Sequence, residues 1–457
     1  MKKRVSVALV ACLLVCATVL PVSAQGPFTT AFAVQNLGSA DAIVSVSWYT
    51  EEGGLIYTTP EQTIGPGGLG NFLAGDGLPS SWSGSVVVSS TQPISAIANT
   101  TDDFGAPRSW GTYEGFSDQQ MQIPPTVATE IYVPFALRER SGRSSIIGIQ
   151  NAGQTTASVN VSFIGHSSSP TNYTLTKSLN AGASTILDLA TEVTQLGSAW
   201  MGSVVVNSVE PLAGAVMDVG TDLVYSYSAA PSPATNLVLP FVVGSRSNQD
   251  TAHALLNPNS TAANVTITYK GEAGGMNVEV TKSKTLQANE MWNLAHVDHT
   301  GAGFLGSATV VADAPVLGIV NHTYGSWGAP GKKMSYTMVD ASKLTPKISL
   351  PFVLRERSNK RQGIIIMNAS STDTTVTVEF KPTLGGAAFT YSKFVPAGGF
   401  YNFGTNYPEW NPMLDGAYGT MVVTNSANVN IVAIVNTWNT VVAENVDSLG
   451  SYIGTNY

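Results

Sequence analysis

The sequence predicts an all-β protein of four tandem Ig-like antiparallel β-sandwich repeats, each of about 105–115 residues. Three observations predict it. First, "VPFALRERSGRSSIIGIQN" (133–151) returns 217 residues later as "LPFVLRERSNKRQGIIIMN" (350–368). Second, four asparagines, Asn36, Asn151, Asn257 and Asn368, lie 115, 106 and 111 residues apart, each followed at the twelfth residue by an aromatic. The residues leading to that aromatic alternate: Val44, Val46, Trp48; Val159, Val161, Phe163; Val265, Ile267, Tyr269; Val376, Val378, Phe380. Period two with β-branched and aromatic residues marks a strand with one buried face. Third, "GSVVVSS", "GSVVVNS", "GSATVVA" and "GTMVVTN" recur about fifty residues after the asparagines, and each leads into another apolar strand.

The elements follow in order. Residues 1–24 combine Lys2, Lys3 and Arg4, an apolar run and Val22-Ser23-Ala24, the pattern of a cleaved secretory leader. Leu9-Val10-Ala11-Cys12 also resembles a lipobox, but cleavage there would waste the apolar run beyond it. Repeat one is expected over 25–116, a linker over 117–130, and repeats two, three and four over 131–230, 236–342 and 347–457. In repeat two the expected strands fall near 131–137, 145–150, 158–163, 173–179, 184–189, 203–208 and 211–217, with an edge strand at 223–228. Gly, Asn, Pro and Ser punctuate them. "ALRERSGRSS" is then the turn between the first two strands, so the repeated phrase is the front edge of a building block.

These "LPFV"-like strands, "QN" turns and "GSVVV…P" strands, alternating in this order, resemble repeat modules of poorly characterised secreted surface proteins of filamentous green non-sulfur bacteria. The resemblance covers nearly the whole chain after the leader. It implies an exported surface protein made of repeated sandwiches and carries over no catalytic residue.

Composition narrows the function. Both cysteines, Cys12 and Cys16, lie in the leader, so the chain beyond it has no disulfide, Cys ligand or Cys nucleophile. Loss of the three basic leader residues moves the formal charge from −8 to −11. Charged residues make up only 11%, too few and too acidic for a phosphate-binding surface, which argues against nucleic acid. No later apolar stretch is long enough for a membrane helix, so no membrane insertion is expected.

No nucleophile elbow, Walker loop, EF-hand or zincin helix is found, and no catalytic residue, cofactor or metal site is expected. "AHVDHT" groups His296, Asp298 and His299 but supplies no fourth ligand, so it reads as a polar connection. The loops "RERSGR" and "RERSNKR" hold seven of the nineteen basic residues beyond the leader, suited to an acidic neighbour, to anionic polysaccharide, or to guarding a strand edge. Trp110 and Trp327 sit in long loops beside a shared "GAP". They suit stacking on sugar rings or packing between modules, as loops at sandwich ends do.

The expected function is a non-enzymatic extracellular structural protein, a subunit of a cell-surface filament, sheath or surface layer. The alternative is a secreted carbohydrate-binding adhesin acting through loop aromatics. Repeat one opens with only Pro27-Phe28 where the others have a full strand, and the chain ends in "GSYIGTNY" where a fifth module would follow. The expectation is therefore head-to-tail assembly, with Tyr452 to Tyr457 docking on repeat one of another copy around Pro27 and Phe28 to give a homo-polymer; the alternative is that both ends are frayed caps of the array. Cell-surface polysaccharide is the other expected partner.

Overall fold

The computed structural model describes residues 8–15, 29–73, 78–79, 82–101, 110–118, 125–221, 223–230, 232–294, 296–325, 332–405, 407–440 and 449–457. Four antiparallel sandwich modules follow one another, and they share one plan. In module four, one sheet runs Phe389–Val395, Thr374–Leu384, Tyr418–Asn425, Ile348–Leu354, Thr455–Asn456, and the facing sheet Phe400–Gly404, Lys360–Asn368, Ile431–Asn439, Leu449–Ile453. Module one repeats this order. In modules two and three the expected break at Pro211 and its counterpart Pro315 is not a break. Trp200–Gly220 and Phe304–Tyr324 are continuous 21-residue strands whose first halves pair in one sheet and second halves in the other. A bend at this point lets one strand turn the corner of the sandwich. Among the described residues the helical content is a single turn, His296–His299, and three short 3-10 turns. No described helix is long and apolar enough to cross a membrane.

The stripes bury as their periodicity predicts. Val44, Val46, Trp48; Val159, Val161, Phe163; Val265, Ile267, Tyr269; and Val376, Val378, Phe380 are all in the cores, while Asn160, Asn264 and Glu379 between them are exposed. Each aromatic fully withdrawn from water contributes about 1.5–3 kcal/mol.

The repeated asparagine is a staple. In all four modules its Nδ2 donates at 2.8 Å to the carbonyl four residues on (Ala40, Thr155, Thr261, Thr372). It also donates across the sandwich, to Ile64, Leu179, Leu286 and Val395. Its Oδ1 accepts from the backbone N–H two residues on. One buried amide thus satisfies carbonyls that no ladder reaches.

The twice-written phrase contains two such devices. Pro134, Pro240 and Pro351 each sit at a register shift in the opening strand, where a residue without N–H breaks no ladder bond. The following turn takes positive φ at Glu139, Ser141 and Gly142, again at Ser245, Ser247 and Asn248, and again at Glu356, Ser358 and Asn359. Three copies of one strained turn explain why its sequence is written so nearly alike.

Module one differs at its start. The slot filled by Ala128–Arg138, Ala234–Gly244 and Ile348–Leu354 elsewhere is filled by Ala8–Val15, which pairs with Gly84–Ser90 on one side and Phe116–Ser117 on the other. Those eight residues belong to the segment expected to be a leader. Repeat one therefore has a complete strand set only while they are present.

Candidate functional site

The last strand of each module's second sheet ends in a tyrosine step: Tyr113, Tyr227, Tyr336 and Tyr452. In modules two, three and four the hydroxyl donates to the carbonyl of the phenylalanine after the opening-strand proline: Phe135 at 2.5 Å, Phe241 at 2.6 Å, Phe352 at 2.7 Å. These strands, Trp110–Glu114, Leu223–Ser228, Lys333–Thr337 and Leu449–Ile453, also touch one another in cyclic order, the fourth returning to the first. The four modules therefore close around a common axis.

Side chains make the closure. Module one's core includes Ile186, Ala215 and Met217 of module two; module two's includes Ala254 and Ile319 of module three; module three's includes Ile365 and Ile434 of module four; module four's includes Ala33 and Ile97 of module one. The pairs Ala254/Ile319, Ile365/Ile434 and Ala33/Ile97 occupy matching positions. One head-to-tail interface is used four times, and it closes within the chain instead of running on. Polar ties seal the last joint: Ser349 Oγ donates to Gln35 Oε1, Ser95 and Thr455 hydroxyls lie 2.6 Å apart, and Thr420 Oγ1 donates to Gly67 O at 2.6 Å.

On the axis, the residue after each tyrosine is Glu114, Ser228, Thr337 or Ile453. Glu114 Oε1 accepts from the Ile453 N–H and Oε2 from Ser228 Oγ at 2.9 Å, and Thr337 Oγ1 donates to Ser228 O at 2.7 Å. All four line one wall of a cavity of about 540 Å³ shared by every module, with Leu237, Leu317 and Met338 as apolar floor. Burial pushes the Glu114 carboxyl above the usual carboxylate range, against the pull of the Ile453 N–H and the Ser228 hydroxyl. Burial likewise raises Asp218 to about 6, opposed by Arg143 and Ser145, and lowers His322 to about 3. These groups lie one to a module. Among the described residues no three His, Cys, Asp or Glu side chains converge.

The residues singled out in the sequence fall as follows. Trp110 is buried, its ring 4.5 Å from Lys360 Nζ of module four, so it packs between modules and is no sugar platform. Gly450 makes the room for it, since a Cβ there would come within 2.5 Å of the indole. Tyr452 is buried in its own module, and Tyr457 lies 4.3 Å from Lys347 of the same module. The C-terminal segment expected to dock on another copy is thus held inside its own chain by two strand pairings and the tyrosine tie. Pro27, Phe28 and Trp327 lie outside the described residues. Asp298 is exposed while His299 is buried against His253 and Tyr269, so these two do not converge on one ion. The basic loops are spent locally: Arg138 on Glu139 and Ala190 O, Arg140 on Ala199 O, Arg355 on Asp415, Arg357 on Gly416 O, Arg361 on Glu356. Sequence reasoning missed Glu114, Asp218, His253 and His322. The available signal was misalignment of chemistry: Thr100, Asp218, His322 and Thr437 fill one position of the repeat.

Fold and junction together define an all-β protein of four sandwich modules closed on a common axis. The chain belongs to a family of unknown function (DUF5719), whose model matches residues 128–398, more than half its length. That membership says nothing of the bacterial group to which the pattern was likened. No curated protein sequence matches the chain. Among solved structures, a tetra-tandem repeat in the extending region of a large adhesion protein is similar at 13% identity and a TM-score of 0.11, covering 92% of this chain and 93% of that one. The BSP domain of a biofilm-associated protein is similar at 9% and 0.15, covering 96% and 91%. With TM-scores this low, the likeness carries no argument about function.

Proposed function

We propose that the protein is a non-enzymatic extracellular surface protein, a rigid structural block that serves as a subunit of a cell-surface layer, sheath or filament. The observation that carries this reading is the closed ring of joints, in which each module's core takes in side chains of the next. Joints of this apolar kind resist the relative motion that is usual between domains of one chain. The leader pattern supports export, and Glu114, Asp218 and His322, buried in three different modules, suit a scaffold better than a reaction centre. Copies would join through the outer sandwich faces, since the C-terminal strands are committed to module four. Small-angle scattering of the purified chain, with negative-stain microscopy of native envelopes, tests it. A compact particle that recurs in an ordered surface array is expected; an extended string of beads, or single molecules only, would refute it.

A further inference from the structure

Module four differs from modules one and three in one buried pair. In module one, Thr112 Oγ1 donates to Asn99 Oδ1 at 3.0 Å; in module three, Ser335 Oγ donates to Asn321 Oδ1 at 2.5 Å. The matching pair in module four is Asn436 and Ser451. Here Ser451 Oγ donates away, to Ser335 O at 2.8 Å, and the buried Asn436 Oδ1 is left without a partner. It faces a cavity of about 380 Å³, within the range of small-molecule sites. Two more unpartnered groups line the same space: both ring nitrogens of His322 and Oδ1 of Asn402. A buried polar atom left unmatched is costly, and three such side chains around one cavity point to something that completes them.

The walls say what that is. Phe241, Tyr324 and Trp438 line the cavity, and at the Trp438 position modules one, two and three carry Thr101, Val219 and Thr323. The aromatic is thus special to module four. Two carboxamide oxygens ask for hydroxyl donors, while a neutral imidazole both donates and accepts. Burial keeps His322 neutral well below physiological pH. Among the described residues no carboxylate lines the space and Arg246 and Lys332 do, which disfavours a cationic ligand. Gly363 keeps the floor open: a Cβ there would sit 3.3 Å from the Trp438 ring and 3.4 Å from Asn402 Oδ1.

We propose that this cleft binds a single saccharide unit, its hydroxyls completing Asn402, Asn436 and His322 and its apolar face lying on Trp438. The site is independent of the structural reading above and would stand if that reading failed. The test is titration of the full chain with glucose, galactose, mannose, N-acetylglucosamine and glucuronate, followed by tryptophan fluorescence and saturation-transfer NMR. At least one sugar is expected to bind; glucuronate winning would mark an acidic saccharide, a neutral hexose a neutral one. Asn436→Ala should weaken binding at least about tenfold, as expected when a buried hydrogen bond to a ligand is lost. Gly363→Val, which fills the floor from a position with ordinary φ, should abolish it while leaving the circular dichroism spectrum unchanged. Should Gly363→Val fail to fold, Gly363→Ala supplies the same reading at smaller volume. Absence of binding by every sugar, or binding that survives both Asn436→Ala and the Gly363 variant, would overturn the proposal.

Discussion

Lys360 Nζ of the last module lies 4.5 Å above the Trp110 ring of the first. Both are buried, and the pair closes the chain's two ends on each other. Replacing a large buried aromatic by alanine costs about 3–5 kcal/mol. Trp110→Ala should therefore lower the urea midpoint strongly while leaving sugar titrations at the module three/four cleft unchanged. Loss of sugar binding in a folded Trp110→Ala protein would return this residue to the role of a binding aromatic.

Asn151 makes a second case. Its amide serves Thr155 O at 2.8 Å and Leu179 O and Asn180 O at 3.0 Å. Asn151→Ala strands buried carbonyls, each worth about 1–3 kcal/mol, so module two should melt first and separately. Asn151→Asp should be worse, because a carboxylate would face the same carbonyls. Limited proteolysis that cuts within 128–230 before other modules would report this.

Asp218 gives stability a pH dependence of known sign. Its folded pKa is raised by burial to about 6 from 3.8, so the folded state holds a proton that the unfolded state has released. Its contribution is full below pH about 4 and is lost as pH rises to about 6, up to about 3 kcal/mol. His322 works in reverse, since its folded pKa is lowered and stability falls as pH drops below its unfolded value. Comparing Asp218→Asn with the parent cancels the histidine. The variant should gain relative stability between pH 4 and 7; parallel urea curves across that range would contradict the assignment.

The stripes, turns and fourfold repeat were legible because each is local: period two and fixed spacing survive in one dimension. The asparagines were visible as landmarks but not as staples, since Asn151 acts on carbonyls 28 and 29 residues away that only pairing brings near. Closure of the ring was not read, although its signal was present. "GIIIMN" and "NIVAIV" are apolar on both faces, the pattern of strands covered on two sides. One face of each serves its own core, and Ile365 and Ile434 on the other serve module three. Glu114, Asp218 and His322 were missed because nothing in a single copy distinguishes a buried polar residue from an exposed one.

The first module's opening strand and the leader compete for the same residues. If cleavage follows Ala24, Gly84–Ser90 loses the partner it has in Ala8–Val15. Amides of 84–90 should then exchange with deuterium much faster than those of 203–208, whose strand keeps its pairing with Ala128–Arg138. Equal protection in a chain beginning at Gln25 would mean that another segment has taken the slot.

The C-terminal segment offers the most direct test of the closed ring. The sequence alone points Tyr452 to Tyr457 toward repeat one of another copy. In the structure Leu449–Ile453 pairs with Ile431–Asn439, Thr455–Asn456 pairs with Ile348–Leu354, and Tyr452 ties back to Phe352 O. The same segment gives Glu114 its backbone donor and Trp110 its packing surface. Deleting 450–457 removes an edge from each sheet of module four and opens the joint to module one at once. The truncated chain should unfold module four at a lower temperature than the rest, seen as a second calorimetric transition, and should expand in small-angle scattering. A truncated chain that melts in one step at the parent temperature would show that these strands are dispensable, and the closed ring would have to be abandoned.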